Sequence, residues 1–132
     1  ANEIEINKNG IKHPLYKNKD KKFNSPAFNF DEVVKIPDKG ICLASNKINK
    51  VQGLYFEVNK TKIWGLQYHP EITYEKMINL IEFRKERLIE SRKVFKDDTE
   101  VQKHIAFIKK EISVSDKEKR MLELKNWLNE LN

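Results

Sequence analysis

The feature that leaves this chain fewest ways to fold is a change of hydrophobic period around His69-Pro70-Glu71. Before that point apolar residues alternate with polar ones or gather in short β-branched and aromatic runs, as strands require. After it they recur at every third or fourth position, as amphipathic helices require. The pattern predicts a strand-rich part over 1–71 and a helical part over 72–132, hence an α/β chain with strands and a hairpin in 3–68 followed by three helices in 74–131.

Glu3 to Asn7 alternates and reads as a half-buried strand, with Asn9-Gly10 as a turn after it. The lysine-rich stretch from His13 to Pro26 reads as loop. Phe28-Asn29-Phe30 suits a short strand, Asp31 to Val34 its continuation or a helical turn, and Ile36-Pro37-Asp38-Lys39-Gly40 a turn. Three strands are expected at Ile41–Ser45, Val51–Val58 and Lys62–Tyr68, the last two joined by Asn59-Lys60 as an antiparallel hairpin. Thr73 predicts an N-cap for a helix from Tyr74 to about Lys93, with Met77, Ile81 and Leu88 on one face. Asp97 with Glu100 predicts a capping box for a second helix that carries Val101, Ile105, Ile108 and Ile112. Ser115 with Glu118 does the same for a third, whose apolar stripe is Met121, Leu124, Leu128 and Leu131 with Trp127 beside it.

The chemistry resides at the junction. The apolar run Ile63-Trp64-Gly65-Leu66-Gln67-Tyr68 ends in His69-Pro70-Glu71, so a histidine stands at a strand tip with a carboxylate two residues on. Proline between them fixes the local backbone near φ −65°. An imidazole that takes a proton from a nucleophile needs an acceptor on its far nitrogen to hold one tautomer, and His69 with Glu71 suits that requirement. A string this short is also what a strand end beside a helix start looks like, so its neighbours must decide.

Other features narrow the classes. The formal charge of +6 is mostly lysine, with only four arginines, and the lysines are spread through every segment. Nucleic-acid sites concentrate arginine and aromatics on one face, so no nucleic-acid partner is expected. Cys42 is the only cysteine, which rules out an intramolecular disulfide and suits a reducing, cytoplasmic setting. No apolar stretch approaches the ~18 residues of a membrane span, and no membrane partner is expected. His13 before Pro14 reads as a turn residue and His104 as a helix residue away from the Ile105 stripe, so no metal site is expected.

The order of segments carries a resemblance. Phe30-Asp31-Glu32-Val33, Ile36-Pro37-Asp38-Lys39-Gly40, Leu43-Ala44-Ser45-Asn46, Val51-Gln52 and Trp64-Gly65-Leu66-Gln67-Tyr68-His69-Pro70-Glu71 resemble, in sequence and spacing, the C-terminal half of class I glutamine amidotransferase domains. The arginine-bearing helix (Arg84, Arg87) and the closing Lys125-Asn126-Trp127-Leu128 are similar to the stand-alone bacterial type related to the GMP synthase glutaminase domain. The resemblance covers about Ile4 to Leu128, so the whole chain, 1–132, is expected to be part of one such domain. It implies a flavodoxin-like, three-layer fold with an open, mostly parallel sheet. It also implies a reaction: a cysteine in a Gly-x-Cys-x-Gly turn attacks the side-chain amide of glutamine, forms a thioester and releases ammonia. By the residue match His69 is the base and Glu71 its orienter, Gln67 and Tyr68 shape the pocket at the strand end, and no cofactor or metal is implied.

The chain departs from this pattern in two places. Gly40-Ile41-Cys42-Leu43-Ala44 imitates the nucleophile turn, but Ala44 replaces its second glycine and no helix can follow before the strand at Val51, so Cys42 reads as a small buried residue. Asn29 stands where such domains often carry a histidine. The chain alone is therefore expected to be inactive, and to need either the missing N-terminal half or a second copy of itself to cover its sheet. A truncated, non-catalytic binding or assembly module is the alternative, as is a γ-glutamyl hydrolase using the same residues.

Overall fold

The computed structural model describes residues 1–131. Five strands form one sheet: β1 (Ile4–Ile6), β2 (Lys22–Phe23), β3 (Ile41–Ser45), β4 (Gly53–Val58) and β5 (Thr61–Leu66), in the order β2-β1-β3-β4-β5. Every pairing is antiparallel. The chain is thus α/β, but the mostly parallel sheet that the resemblance implies is not what these strands build. The helices are α1 (Lys8–Lys12), α2 (Tyr74–Phe83), α3 (Asp98–Val114), α4 (Lys117–Arg120) and α5 (Leu122–Glu130). Among the described residues no helix is long and apolar enough to cross a membrane.

The chain divides into two compact units. One comprises Ala1–Glu71 and the C-terminal segment from Lys117; the other is Ile72–Asp116. In the first, the predicted hairpin forms in register, with Val58 opposite Thr61 and Gly53 opposite Leu66. Asn59 and Lys60 both take positive φ, 48° and 67°, as a two-residue turn matched to strand twist demands. The core gathers Ile4, Ile6, Leu15, Tyr16, Leu43, Ala44 and Tyr68.

Asn9-Gly10 is not a turn. Asn7 caps α1 instead, its side-chain oxygen accepting from the N–H groups of Asn9 and Gly10, and its amide donates to the Cys42 carbonyl at 2.7 Å. The supposed loop of 13–26 holds a 3-10 turn at Pro14–Tyr16, capped by the His13 ring, as well as strand β2. Phe28-Asn29-Phe30 forms no strand.

In the second unit Thr73 and Asp97 cap α2 and α3 as expected, accepting from the N–H groups of Lys76 and Glu100. The first helix is shorter than its pattern implies. It ends at Phe83 and is followed by a widened π turn, Arg87–Ser91, which keeps Leu88 buried and ends before Lys93, whose φ is 51°. On α3, Val101, Ile105 and Ile108 are buried.

The third predicted helix departs most. It breaks at Met121, and Ser115 ends α3 rather than starting α4. The stripe is not the buried face: Leu128 is 53% exposed and Leu131 65%, while Glu123 and Asn126 are buried. The reason lies in what α5 packs against. The 3-10 turn leaves the carbonyls of Leu15 and Lys17 needing donors, and the Asn126 amide supplies both at 2.9 and 3.0 Å. Leu124 and Trp127 instead line, with Leu15, Trp64 and Leu66, a cavity of about 260 Å³.

Candidate functional site

The ladder of β5 continues one step past its end, where the Gln67 N–H donates to the Gln52 carbonyl at 3.0 Å. The chain then leaves the sheet. Tyr68 turns its ring into the core, 2% exposed, and His69 is held by its own N–H on the Pro26 carbonyl at 2.7 Å. Pro70 follows, buried, and the Arg120 guanidinium donates to its carbonyl. The backbone around the histidine is thus tied at both sides.

His69 Nδ1 lies 2.8 Å from Glu71 Oε1, with the two side chains 38% and 51% exposed. A carboxylate accepts, so Nδ1 carries a proton, and in the neutral ring Nε2 is then the nitrogen with the lone pair. The pair can therefore orient an imidazole toward solvent as a base. Gln67 extends its side chain to Asn29, whose amide donates to Gln67 Oε1 at 3.2 Å and to the Asp31 carbonyl at 2.8 Å. Gln67 and Asn29 thus share one exposed surface, whereas Tyr68 is a core residue, not one that presents its ring to a ligand.

Cys42 sits within β3, half-buried, its thiol 3.5 Å from the carbonyls of Ala44 and Lys50. Burial pushes its pKa up, which favours the unreactive thiol. Ile41–Ser45 runs as a strand, with no strand-to-helix turn at the cysteine.

A buried polar group behind Tyr68 has no counterpart in the expectations from sequence. The Tyr68 hydroxyl lies 2.8 Å from Glu123 Oε1 and 3.1 Å from the Tyr16 hydroxyl. Glu123 Oε2 accepts from Lys19 Nζ at 2.9 Å, with the two side chains 5% and 0% exposed, and Lys19 also stands over the Phe23 ring. Burial raises the pKa of both tyrosines, so they stay neutral donors. Burial also lowers that of Lys19, an effect opposed by Glu123. Gly53 completes the fit, since a β-carbon there would come within 2.2 Å of the Tyr16 hydroxyl. Nothing in the sequence marks this group, because Glu123 is one of several polar residues in α5, with Lys125, Asn126, Asn129 and Glu130.

No family profile matches the chain. Over 73 residues it is 30% identical to a γ-glutamyl-L-1-hydroxyisopropylamide hydrolase of Pseudomonas, a match that spans 55% of this chain and 24% of that protein. Over 68 residues it is 38% identical to a component of the glutamine-hydrolysing GMP synthase of Methanocaldococcus jannaschii, spanning 51% of this chain and 35% of that component. The likeness is to glutamine- and γ-glutamyl-amide-hydrolysing proteins. The chain spans about a third or less of the length of these curated relatives.

Proposed function

We propose that the chain is the C-terminal part of a flavodoxin-like class I amidotransferase domain that hydrolyses a γ-glutamyl amide, with His69 as general base and Glu71 as its orienter. The observation that carries this reading is the 2.8 Å contact of His69 Nδ1 with Glu71, which leaves Nε2 as the basic nitrogen at a strand end. The two similar proteins support the substrate class, because by name one acts on a γ-glutamyl amide and the other on glutamine, itself the γ-amide of glutamate.

In this reading a cysteine outside these residues is the nucleophile. Nε2 takes the thiol proton, the sulfur bonds to the γ-carbonyl carbon, and the C–N bond breaks as His69 returns the proton to the leaving nitrogen. Water, deprotonated by the same nitrogen, then cleaves the thioester to glutamate and regenerates the thiol. Ammonia leaves if the substrate is glutamine and a small amine if it is a γ-glutamyl alkylamide. The name of the Pseudomonas relative favours keeping the second in view.

Cys42 does not supply the sulfur, since it is fixed in β3 with its thiol against carbonyls. The missing N-terminal half would bring the nucleophile and the parallel strands, and these residues alone are inactive. Gln67, beside Asn29, would border the pocket. The test uses the natural full-length protein with glutamine and a γ-glutamyl alkylamide, measured as glutamate release. His69→Ala is expected to lower kcat at least ~100-fold, the loss of a general base typically costing that much or more. Wild-type turnover in that variant refutes the assignment. A glutamine-like electrophile should label a cysteine other than Cys42, and labelling at Cys42 would assign the nucleophile to this chain.

A further inference from the structure

His69 is gripped from both neighbouring residues by one short segment, Arg120 to Glu123, that lies about fifty residues away in sequence. On one side the Tyr68 hydroxyl meets Glu123 at 2.8 Å, and Glu123 is itself held by Lys19. On the other side the Arg120 guanidinium donates to the carbonyl of Pro70. A third tie, the His69 N–H on the Pro26 carbonyl at 2.7 Å, fixes the residue itself. Pro70 restricts its own φ and drives the preceding residue to extended backbone, so the few remaining freedoms of His69 are its side-chain torsions. Glu71 then sets the ring.

We infer that Arg120 and Glu123 are positioning residues for His69, acting through the backbone of Pro70 and the side chain of Tyr68. This rests on the reading of His69 as the general base. The physical argument is one of tolerance. A base must sit within a hydrogen bond of the proton it removes, and displacement of about 1 Å can cost as much as ~100-fold in rate. Glu71 cannot provide that placement. It lies on the same exposed tip, 51% open to solvent, so it fixes the ring relative to the tip and not the tip relative to the sheet. Arg120, Glu123 and the Pro26 carbonyl connect the tip to packed structure. A purely structural ion pair between Lys19 and Glu123 would close the core equally well without Arg120 reaching Pro70. Nor would it require Glu123 to spend its second oxygen on Tyr68.

The test uses the natural full-length protein and the variants Arg120→Met, Arg120→Lys and Tyr68→Phe. Arg120→Met is expected to lower kcat by about ten- to a hundredfold with KM for glutamine changed less than about twofold, because placement of the base and not substrate binding is lost. Arg120→Lys, which keeps a donor, should recover part of the rate. In amide hydrogen-exchange spectra, the His69 N–H, bonded to the Pro26 carbonyl in the wild type, should exchange at least ~10-fold faster in Arg120→Met while the amides of β4 and β5 keep their protection, and the Nδ1–H tautomer set by Glu71 should persist. Unchanged kcat, or unchanged exchange of the His69 N–H in a folded Arg120→Met variant, overturns the inference. If Arg120→Met fails to fold, Tyr68→Phe decides: it removes only a hydroxyl and is expected to lower kcat and speed exchange of the His69 N–H, and a wild-type rate and exchange overturn the inference. His69→Ala in the same assay separates the two claims. Should it hydrolyse glutamine normally, the reading of the base fails, and the exchange of the His69 N–H alone then judges whether Arg120 holds the tip.

Discussion

His13 shows how much a single side chain can do outside the site. Its Nδ1 accepts from the Leu15 N–H at 3.2 Å, and its ring packs against Tyr55 and Trp64 with centroids 4.9 and 5.1 Å apart. An accepting Nδ1 must be unprotonated, so the folded state demands neutral imidazole there. Its pKa is lowered, first by burial and further by Lys62, with Glu130 opposing. The folded pKa thus lies below the ordinary 6.5, and the unfolded chain binds the proton more readily. Stability from this group is complete above about 6.5 and is lost as pH falls through the folded pKa. Urea titrations across this range should show unfolding free energy falling with acidification. His13→Asn, which can still cap, should flatten part of that slope; an unaltered slope would mean that another group carries it, and His104, also lowered by burial, is the nearest in kind.

Among the elements, the β4–β5 hairpin was legible because its strands and its turn agree. The strands are short runs rich in aromatic and β-branched residues, and two residues separate them. Lys60 is the misfit, a side-chain-bearing residue at φ 67° where asparagine or glycine is at home. Lys60→Gly should therefore stabilise the chain by roughly 1 kcal/mol, read from the denaturation midpoint, less what glycine adds to unfolded-state entropy. A destabilised variant would show that the lysine makes a compensating contact. α5 departs from its pattern for the opposite reason. Leu124, Leu128 and Leu131 recur at helical spacing, and period alone places that stripe inward. Which face a helix buries depends on what it meets, and α5 meets the open carbonyls of Leu15 and Lys17 and the ammonium of Lys19. Polar partners that would otherwise be orphaned outweigh a few leucines left half in water.

At the scale of the molecule, the unit that holds His69 is closed by residues beyond the second unit. The segment from Lys117 belongs with Ala1–Glu71, although Ile72–Asp116 intervenes in the chain. A chain ended at Asp116 would leave Lys19 buried without its carboxylate, Tyr68 without its acceptor and two carbonyls without donors. Losing one partner of a buried pair typically costs ~3–5 kcal/mol, a large share of a small domain's stability. Hydrogen exchange should therefore show protection lost in β1 and β5 while α2 and α3 keep theirs. Retained protection in β1 would mean that the first unit stands without its C-terminal segment.

The sequence by itself determined β1, β3 and the β4–β5 hairpin, the caps at Thr73 and Asp97, and the adjacency of His69 and Glu71, because each depends on residues within a few positions of one another. A two-residue turn, a side chain capping its own helix and a proline between two polar groups are local facts. Only the tertiary structure decided that the sheet is antiparallel throughout, that α5 turns Glu123 and Asn126 inward, and that Arg120 and Glu123 reach the histidine's neighbours. The last two outcomes join groups fifty to more than a hundred residues apart. Period cannot report such pairings, since satisfying a buried donor or charge is a property of the partner's position in space.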